Sequence, residues 1–223
     1  MGKNKLRRFA ENATFSNMFQ RTFDELQEDG FELRSKWRTE FFKNDNPVVL
    51  ELACGKGEYT VAMARRYPDK NFIGMDIKGA RLWKGCKESN REGLQNVAFI
   101  RTKIELIEHF FGPSEVDEIW ITFPDPQPRK SKSKKRLTSP EFLQRYQNLI
   151  TPESLIHLKT DNDMLFHYTL DIIKQHNHSI KQTSGNLYQE NLQGFISEIQ
   201  THYEQMWLEK GKAIKYICFS LTT

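Results

Sequence analysis

The strongest constraint on this chain is an alternation. Val48-Val49-Leu50-Glu51-Leu52, Phe72-Ile73-Gly74-Met75, Val97-Ala98-Phe99-Ile100, Glu118–Phe123 and Leu155–Lys159 are short apolar runs that read as buried strands. Between and after them, Glu58–Tyr67, Gly79–Glu92, Ile104–Phe111, Ser139–Ile150 and Asp161–Gln175 read as helices. Pro68, Gly93 and Gly112-Pro113 close the first three, and Ser139-Pro140-Glu141 opens the fourth with a cap and a first-turn proline. Strands and helices that trade places at this spacing predict an α/β fold, a mostly parallel doubly wound sheet with helices on both faces. Beyond residue 176 the pattern loosens; Ser197–Glu209 reads as a helix and Ala213–Leu221 as a last strand.

The first 46 residues are different. They are polar, with Phe9, Phe15, Phe19, Phe23, Phe31, Trp37 and Phe41 scattered through them. Phe15, Phe19 and Phe23 are four apart, the helical spacing, so a partly helical extension docked on the core is expected. Asn44-Asp45-Asn46-Pro47 is a turn signal that divides the chain into an extension, 1–46, and an α/β domain, 47–223. A length of 223 residues suits one domain with such an extension.

The net charge of +4 decides nothing by itself, but its distribution does more. Lys3, Lys5, Arg7 and Arg8 form one cluster; Arg129, Lys130, Lys132, Lys134, Lys135 and Arg136 put six basic residues into eight positions. Such clusters mark either a polyanion-binding face or a solvated loop. The three cysteines, Cys54, Cys86 and Cys218, form no CxxC pair, which supports neither a disulfide framework nor a zinc ribbon and fits a reducing compartment. His176 and His178 have no ligand set around them, so no metal is expected. No apolar run approaches the ~20 residues that span a bilayer. The basic MGKNKL start has no signal core behind it, and Leu6 stands where a myristoylation signal needs Ser or Thr. A cytoplasmic protein, not a membrane protein, is expected; the oligomeric state is left open.

The segment Glu51-Leu52-Ala53-Cys54-Gly55-Lys56-Gly57 joins the first strand to the first helix, where open α/β sheets bind ligands. A phosphate-binding turn would read GxGxxG or GxxxxGKS. Here the third glycine is missing and Glu58 puts a carboxylate at the helix start, an unfavourable neighbour for pyrophosphate. S-adenosylmethionine carries no phosphate and has a cationic amino group, which suits Glu51. Asp76 ends the second strand nineteen residues after Gly57, placed to accept from ribose hydroxyls. A GxG turn and a strand-end acid are also ordinary features of α/β proteins, and the acid alone does not separate nicotinamide from adenosylmethionine sites.

After the fourth strand, Thr122-Phe123-Pro124-Asp125-Pro126-Gln127-Pro128-Arg129-Lys130 holds three prolines in five residues. A stiff loop at a strand's carboxyl end is a place to fix a carboxylate over a substrate. The segments ELACGKGEY, FIGMDIKGAR, FPDPQPRKSKSKKRLTSPEFL, HLKTDN and THYE, in order over about residues 50–204, resemble the bacterial tRNA (guanine-N7-)-methyltransferase family. The resemblance implies a Rossmann-like methyltransferase fold with about seven strands. It implies transfer of a methyl group from S-adenosylmethionine to N7 of a variable-loop guanine at tRNA position 46, with S-adenosylhomocysteine as product. It implies that Glu51, Gly55, Gly57, Asp76 and Asp125 meet the cofactor, with Asp125 catalytic. It implies that Arg129, Asp161, Thr201, His202, Tyr203 and Glu204 meet the substrate. Lys130, Lys132, Lys134, Lys135 and Arg136 would then meet the RNA backbone, the reading preferred over a solvated loop. Three positions depart from the family. Gln127 stands where tryptophan is usual and Arg129 where lysine is. Lys103 replaces an Asp or Asn, leaving adenine to the backbone near Lys103 and Ile104, or to Glu105.

Other readings stay open on sequence alone: an adenosylmethionine enzyme acting on another RNA or a small molecule, a nicotinamide-dependent oxidoreductase, or a non-catalytic RNA-binding protein. The basic continuation of the proline loop weighs against a small molecule, the missing glycine against a nicotinamide, and retention of Glu51, Asp76 and Asp125 against loss of catalysis. Asp125 as a mere turn cap, and Asp161 as a helix cap, are the plain alternatives to their functional roles.

Overall fold

The computed structural model describes residues 3–190 and 195–222. Among them are eight strands: β1 Met18–Gln20, β2 Val48–Leu52, β3 Asn71–Asp76, β4 Val97–Arg101, β5 Val116–Thr122, β6 Ile150–Thr160, β7 Ser179–Ser184 and β8 Lys215–Ser220. They form one sheet in the order β1-β4-β3-β2-β5-β6-β8-β7. The pairings from β1 through β6 are parallel; β8 runs antiparallel to both β6 and β7. Every residue of β2 and β3 is buried, as expected of central parallel strands covered on both faces. The helices are α1 Lys3–Asn12, α2 Phe23–Glu28, α3 Glu58–Arg66, α4 Gly79–Glu92, α5 Ile107–Phe110, α6 Pro140–Gln147, α7 Asp163–Gln175, α8 Phe195–Glu198 and α9 His202–Glu209. Two 3-10 turns, Ile104–Leu106 and Lys130–Lys135, and a π-helical turn, Trp37–Phe42, lie in the connections.

The chain runs β2, β3, β4 toward one edge, then returns to set β5 on the other side of β2. Strand order therefore reverses between β2 and β5, and the loops leaving their carboxyl ends diverge around a crevice. Local signals fix where individual helices stop and start. Gly93 ends α4 in the left-handed region, with φ 68°, and its N–H closes the last turn. Pro140 stands in the first turn of α6, but the Ser139 hydroxyl donates to the Lys134 carbonyl at 3.2 Å rather than capping that helix.

Several expectations are corrected. Phe15, Phe19 and Phe23 do not share a helix. Phe19 lies in β1, which adds an edge strand beside β4, and Phe23 begins α2 after a capping box between Thr22 and Glu25. The reason is tertiary: Phe19 meets Phe31, Trp37 and Phe41 edge-on at 5.8, 5.1 and 5.2 Å. Trp37 is fully buried and donates from Nε1 to the Phe110 carbonyl at 3.0 Å, so the extension completes the core on that face. The helix read over 197–209 is two helices, because Thr201 starts a new one by accepting the Glu204 N–H at 3.1 Å. The mostly parallel sheet expected is present, with eight strands among the described residues. β7, an edge strand reading Ser-Ile-Lys-Gln-Thr-Ser, lacked an apolar run because one edge has no core to face.

Replacing Trp37 by Ala empties the centre of this aromatic cluster. Urea denaturation is expected to show a loss of about 3–5 kcal/mol, whereas a loss below about 1 kcal/mol would place the extension outside the cooperative fold.

Candidate active site

The turn after β2 is shaped by backbone that ordinary residues avoid. Ala53, Gly55 and Gly57 take φ of 57°, 59° and 70°. A Cβ on Gly55 would meet nothing within 4 Å, whereas one on Gly57 would lie 2.5 Å from the Phe99 ring. Gly74 in β3 and Gly85 in α4 approach the same ring, at 2.8 and 2.7 Å from where their Cβ atoms would be. The ring thus sits in a pocket that only glycines leave open, and it holds turn, strand and helix together from below.

Above this turn lies a cleft of about 860 Å³. Asp76, at the end of β3, accepts the Gly55 N–H at 3.0 Å and the Lys78 N–H at 2.7 Å, one on each carboxylate oxygen. Each oxygen keeps a further lone pair, enough to accept from a vicinal diol. Lys103, Ile104 and Glu105, after β4, line the same end of the cleft.

Glu51 lies at the cleft floor with 4% of its surface exposed. Its Oε2 accepts the Thr60 N–H at 2.9 Å and the Thr60 hydroxyl, and its Oε1 accepts the Thr122 hydroxyl at 2.6 Å. Burial pushes its carboxyl up to about 7, against the threonine hydrogen bonds that favour the charged form. The residues fit an adenosine ligand with a cationic tail better than a dinucleotide. A phosphate at the start of α3 would meet two carboxylates, Glu51 and Glu58, and would find the Thr60 N–H already taken. Glu58 is itself tied to Lys84 at 2.7 Å and to the His202 N–H at 3.2 Å. An ammonium group beside Glu51 finds a carboxylate that only lacks a counter-charge.

The proline loop closes the other side. Phe123 and Gln127 take φ of 47° and 45°, uncommon for residues with a Cβ. The Phe123 N–H donates to the Lys159 carbonyl at 2.9 Å, and Arg136 donates from Nη2 and Nε to the Gln127 carbonyl at 3.1 and 3.3 Å. Asp125 does cap its turn, accepting the Gln127 N–H at 3.0 Å on Oδ1, yet its side chain is exposed and lines the cleft. The expectation that Arg136 meets the RNA backbone is corrected: it is 6% exposed, its guanidinium 4.2 Å over the Tyr168 ring, and it braces the loop from inside. Lys130, Lys132, Lys134 and Lys135 are exposed on the 3-10 turn, with Lys135 on the cleft wall; Arg129 is exposed beside it.

The late segment behaves differently from its sequence reading. Thr201 and Tyr203 line the cleft, His202 is exposed outside it, and Glu204 is fully buried. Glu204 therefore does not line the site: it pairs with Lys159 at 2.7 Å, both side chains at 0% exposure, and accepts from the Tyr188 hydroxyl at 2.8 Å. Lys159 also donates to the Ile196 carbonyl at 2.7 Å, so one buried ammonium binds the chain on either side of the α8–α9 break. Burial pushes the Lys159 ammonium down and the Glu204 carboxylate opposes it. Asp161 lines the cleft, but the cap of α7 is Asn162, which accepts the Leu165 N–H at 2.9 Å. Asp161 pairs with Lys212 at 2.9 Å, and Lys212 stands 3.9 Å over the Trp207 ring.

Sequence reasoning missed Thr60, Thr122, Lys159, Trp207 and Lys212. For Lys159 a signal existed: a charged residue closing an apolar strand run needs a buried partner. Among the described residues no cluster of His, Cys, Asp and Glu could hold a metal ion, and no helix is long and apolar enough to cross a membrane.

Two outcomes follow from these buried charges. In the unfolded chain Glu51 titrates near 4.5 and in the folded chain near 7, so the folded state holds the proton more tightly. Its contribution makes stability fall as pH rises from about 4.5 to about 7 and stay level above, by an order of about 3 kcal/mol. Glu51→Gln is expected to flatten that part of a pH–stability profile; an unaltered slope would contradict the assignment. Glu204→Ala leaves Lys159 buried without its partner and should lose about 3–5 kcal/mol in chemical denaturation. The double change Lys159→Met, Glu204→Leu should recover most of it, and a Glu204→Ala chain as stable as the parent would show that the pair is not formed.

Comparison with known proteins agrees with this geometry. Residues 45–217 match a family model described as a putative methyltransferase. The chain is 54% identical to the tRNA (guanine-N(7)-)-methyltransferase of Christiangramia forsetii over 98% of both chains. It is 49% identical to the protein of the same name from Bacteroides fragilis, over 99% of this chain and 87% of that one. Among solved structures, the 16S rRNA methyltransferase KamB shares the fold, with a TM-score of 0.63 over 91% of this chain and 94% of that one at 14% identity. With the family model covering most of its length and such relatives along nearly all of it, the chain belongs to the tRNA (guanine-N(7)-)-methyltransferase family.

Proposed function

We propose that the enzyme methylates N7 of the variable-loop guanine at position 46 of tRNA, in a site framed by Glu51, Asp76 and Asp125. It is a tRNA (guanine-N7-)-methyltransferase that uses S-adenosylmethionine. The observation that carries the reading is the buried Glu51 carboxylate at the floor of a cleft whose opposite wall presents Asp125.

In this reading Glu51 binds the donor's amino group, Gly55 and Gly57 give its tail room, Asp76 accepts from the ribose hydroxyls, and Lys103, Ile104 and Glu105 flank the adenine. S-adenosylmethionine, when bound, supplies an electrophilic methyl group on a sulfonium. Guanine N7 carries a free lone pair, so the protein needs no general base. What it must supply is alignment and compensation of the positive charge that grows on the purine. Asp125 suits both requirements, because its turn is braced by the prolines and by Arg136, and its carboxylate faces the cleft. Asp161, Thr201 and Tyr203 stand on the substrate side of the same cleft. The exposed Lys130, Lys132, Lys134 and Lys135 hold the RNA backbone as it enters. His202, Arg129 and Arg136 act around the site rather than in it. In this reading residues 47–223 hold the donor site and residues 1–46 serve it as an extension. A tRNA substrate and three free, buried cysteines suit a cytoplasmic location.

The test is incubation with labelled S-adenosylmethionine and tRNA that lacks the modification, followed by digestion and mapping of the labelled nucleoside. Label in 7-methylguanosine at position 46 is expected, and label on another base or another guanine overturns the assignment. In the same assay Asp125→Ala should lower turnover by about a hundredfold or more while donor binding is retained; full activity would remove Asp125 from the mechanism.

A further inference from the structure

The first basic cluster has no use in the mechanism so far. Helix α1 carries Lys5, Arg7 and Arg8 against one acid, Glu11, and lies outside the residues that match the family model. It is nonetheless docked with care. Asn12 donates to the Gly79 carbonyl at 2.8 Å, and Trp83 donates from Nε1 to Glu11 at 2.6 Å. A Cβ on Gly79 would lie 2.8 Å from the Phe9 ring, so the first residue of α4 is a glycine where α1 seats its aromatic side chain.

The contact is an aromatic seam with cations held over it. Arg8 and Lys87 each stand 4.8 Å from the Trp83 ring; Arg101 and Lys5 stand 4.6 and 5.9 Å from the Phe9 ring. Such rings steady long cationic side chains and lower the entropy lost when those charges meet an anion. The first turn of α4 continues the charge, with Lys78 and Arg81 exposed on the cleft rim beside Lys103. Of the acids close by, Glu11 is engaged with Trp83 and Arg7 and Glu58 with Lys84, while Glu105 is exposed beside Lys103. Sheet order sets the position. α4 follows β3 and Lys103 follows β4, on one side of β2, whereas the 130–135 turn follows β5 on the other. β4 and β5 are three strand spacings apart, about 14 Å, so one folded RNA can reach both sides.

We propose that α1 and the first turn of α4 form a second phosphate-binding face, across the cleft from the 130–135 turn, and that the substrate RNA straddles the cleft between them. The inference rests on the tRNA reading, but its test does not depend on catalysis. Lys5 and Arg7 are exposed, so Lys5→Ala with Arg7→Ala should leave the melting temperature unchanged. Binding of unmodified tRNA is measured against salt concentration. The slope of log affinity on log salt should shrink by about 1–2 units for the two lost contacts. The KM for tRNA should rise several-fold while turnover at saturating tRNA is kept. Lys5→Arg with Arg7→Lys should restore the slope, as expected of a charge contact rather than a packing one. A parent-like slope and KM in the alanine variant overturns the proposal. Failure of the parent to form 7-methylguanosine would sink the functional reading instead, a result the salt titration does not produce.

Discussion

Burying a carboxylate beneath a cleft is costly, and Glu51 is bonded there by two threonines rather than by a cation. Its hydrogen bonds tie three elements: β2, which carries it, α3 through Thr60, and β5 through Thr122. Those are the strand ends and the helix between which the sheet order reverses, so the crevice and its acid are one construction. The same bonds occupy the helix terminus that would otherwise attract phosphate. A single side chain thus sets the cleft floor, its charge and the class of ligand it excludes.

Below that floor a second constraint works by absence. Gly57, Gly74 and Gly85 leave no Cβ where the Phe99 ring lies, letting turn, strand and helix close on one aromatic side chain. Of these, Gly57 is legible in sequence because it sits in a recognisable turn. Gly74 and Gly85 are not, since an isolated glycine in a strand or helix gives no hint of which ring it makes room for.

The same distinction explains what else could be read. The α/β alternation from Val48 to Gln175 was visible because central strands are apolar on both faces and most of the helices carry a start or stop signal. The cleft-lining segments around Glu51, Asp76 and Asp125 were visible because they occupy contiguous loops at strand ends. What stayed hidden depends on residues distant in the chain. Phe19 shows helical spacing yet joins a strand, because its partners Phe31, Trp37 and Phe41 decide the backbone there. Glu204 sits in a motif that resembles a substrate-lining one, yet its charge is consumed by Lys159, forty-five residues earlier. Arg136 belongs to a basic run, yet turns inward to the Gln127 carbonyl because a proline loop with two strained residues needs a brace. In each case sequence showed the residue type and tertiary contact chose its employment.

Taken together, the charges around the cleft differ in depth. Four carboxylates line the cleft, but only Glu51 and Asp76 are buried; Asp125 is exposed and Asp161 is paired with Lys212. Lys130, Lys132 and Lys134 are exposed beyond the cleft on the β5 side, while Lys78, Arg81, Lys103 and Lys135 lie on its rim. In the proposed reading a polyanion is drawn to the cations, while the buried Glu51 and Asp76 disfavour a phosphate at the floor and leave it to an uncharged base. The reaction proposed here moves positive charge from a cationic donor onto that base, so the interior acids keep their favourable partner throughout. That division needs no general base and no metal from the protein. It asks only that Glu51 stay fixed at the floor and that the Asp125 loop stay braced, which the threonine bonds and the inward turn of Arg136 secure.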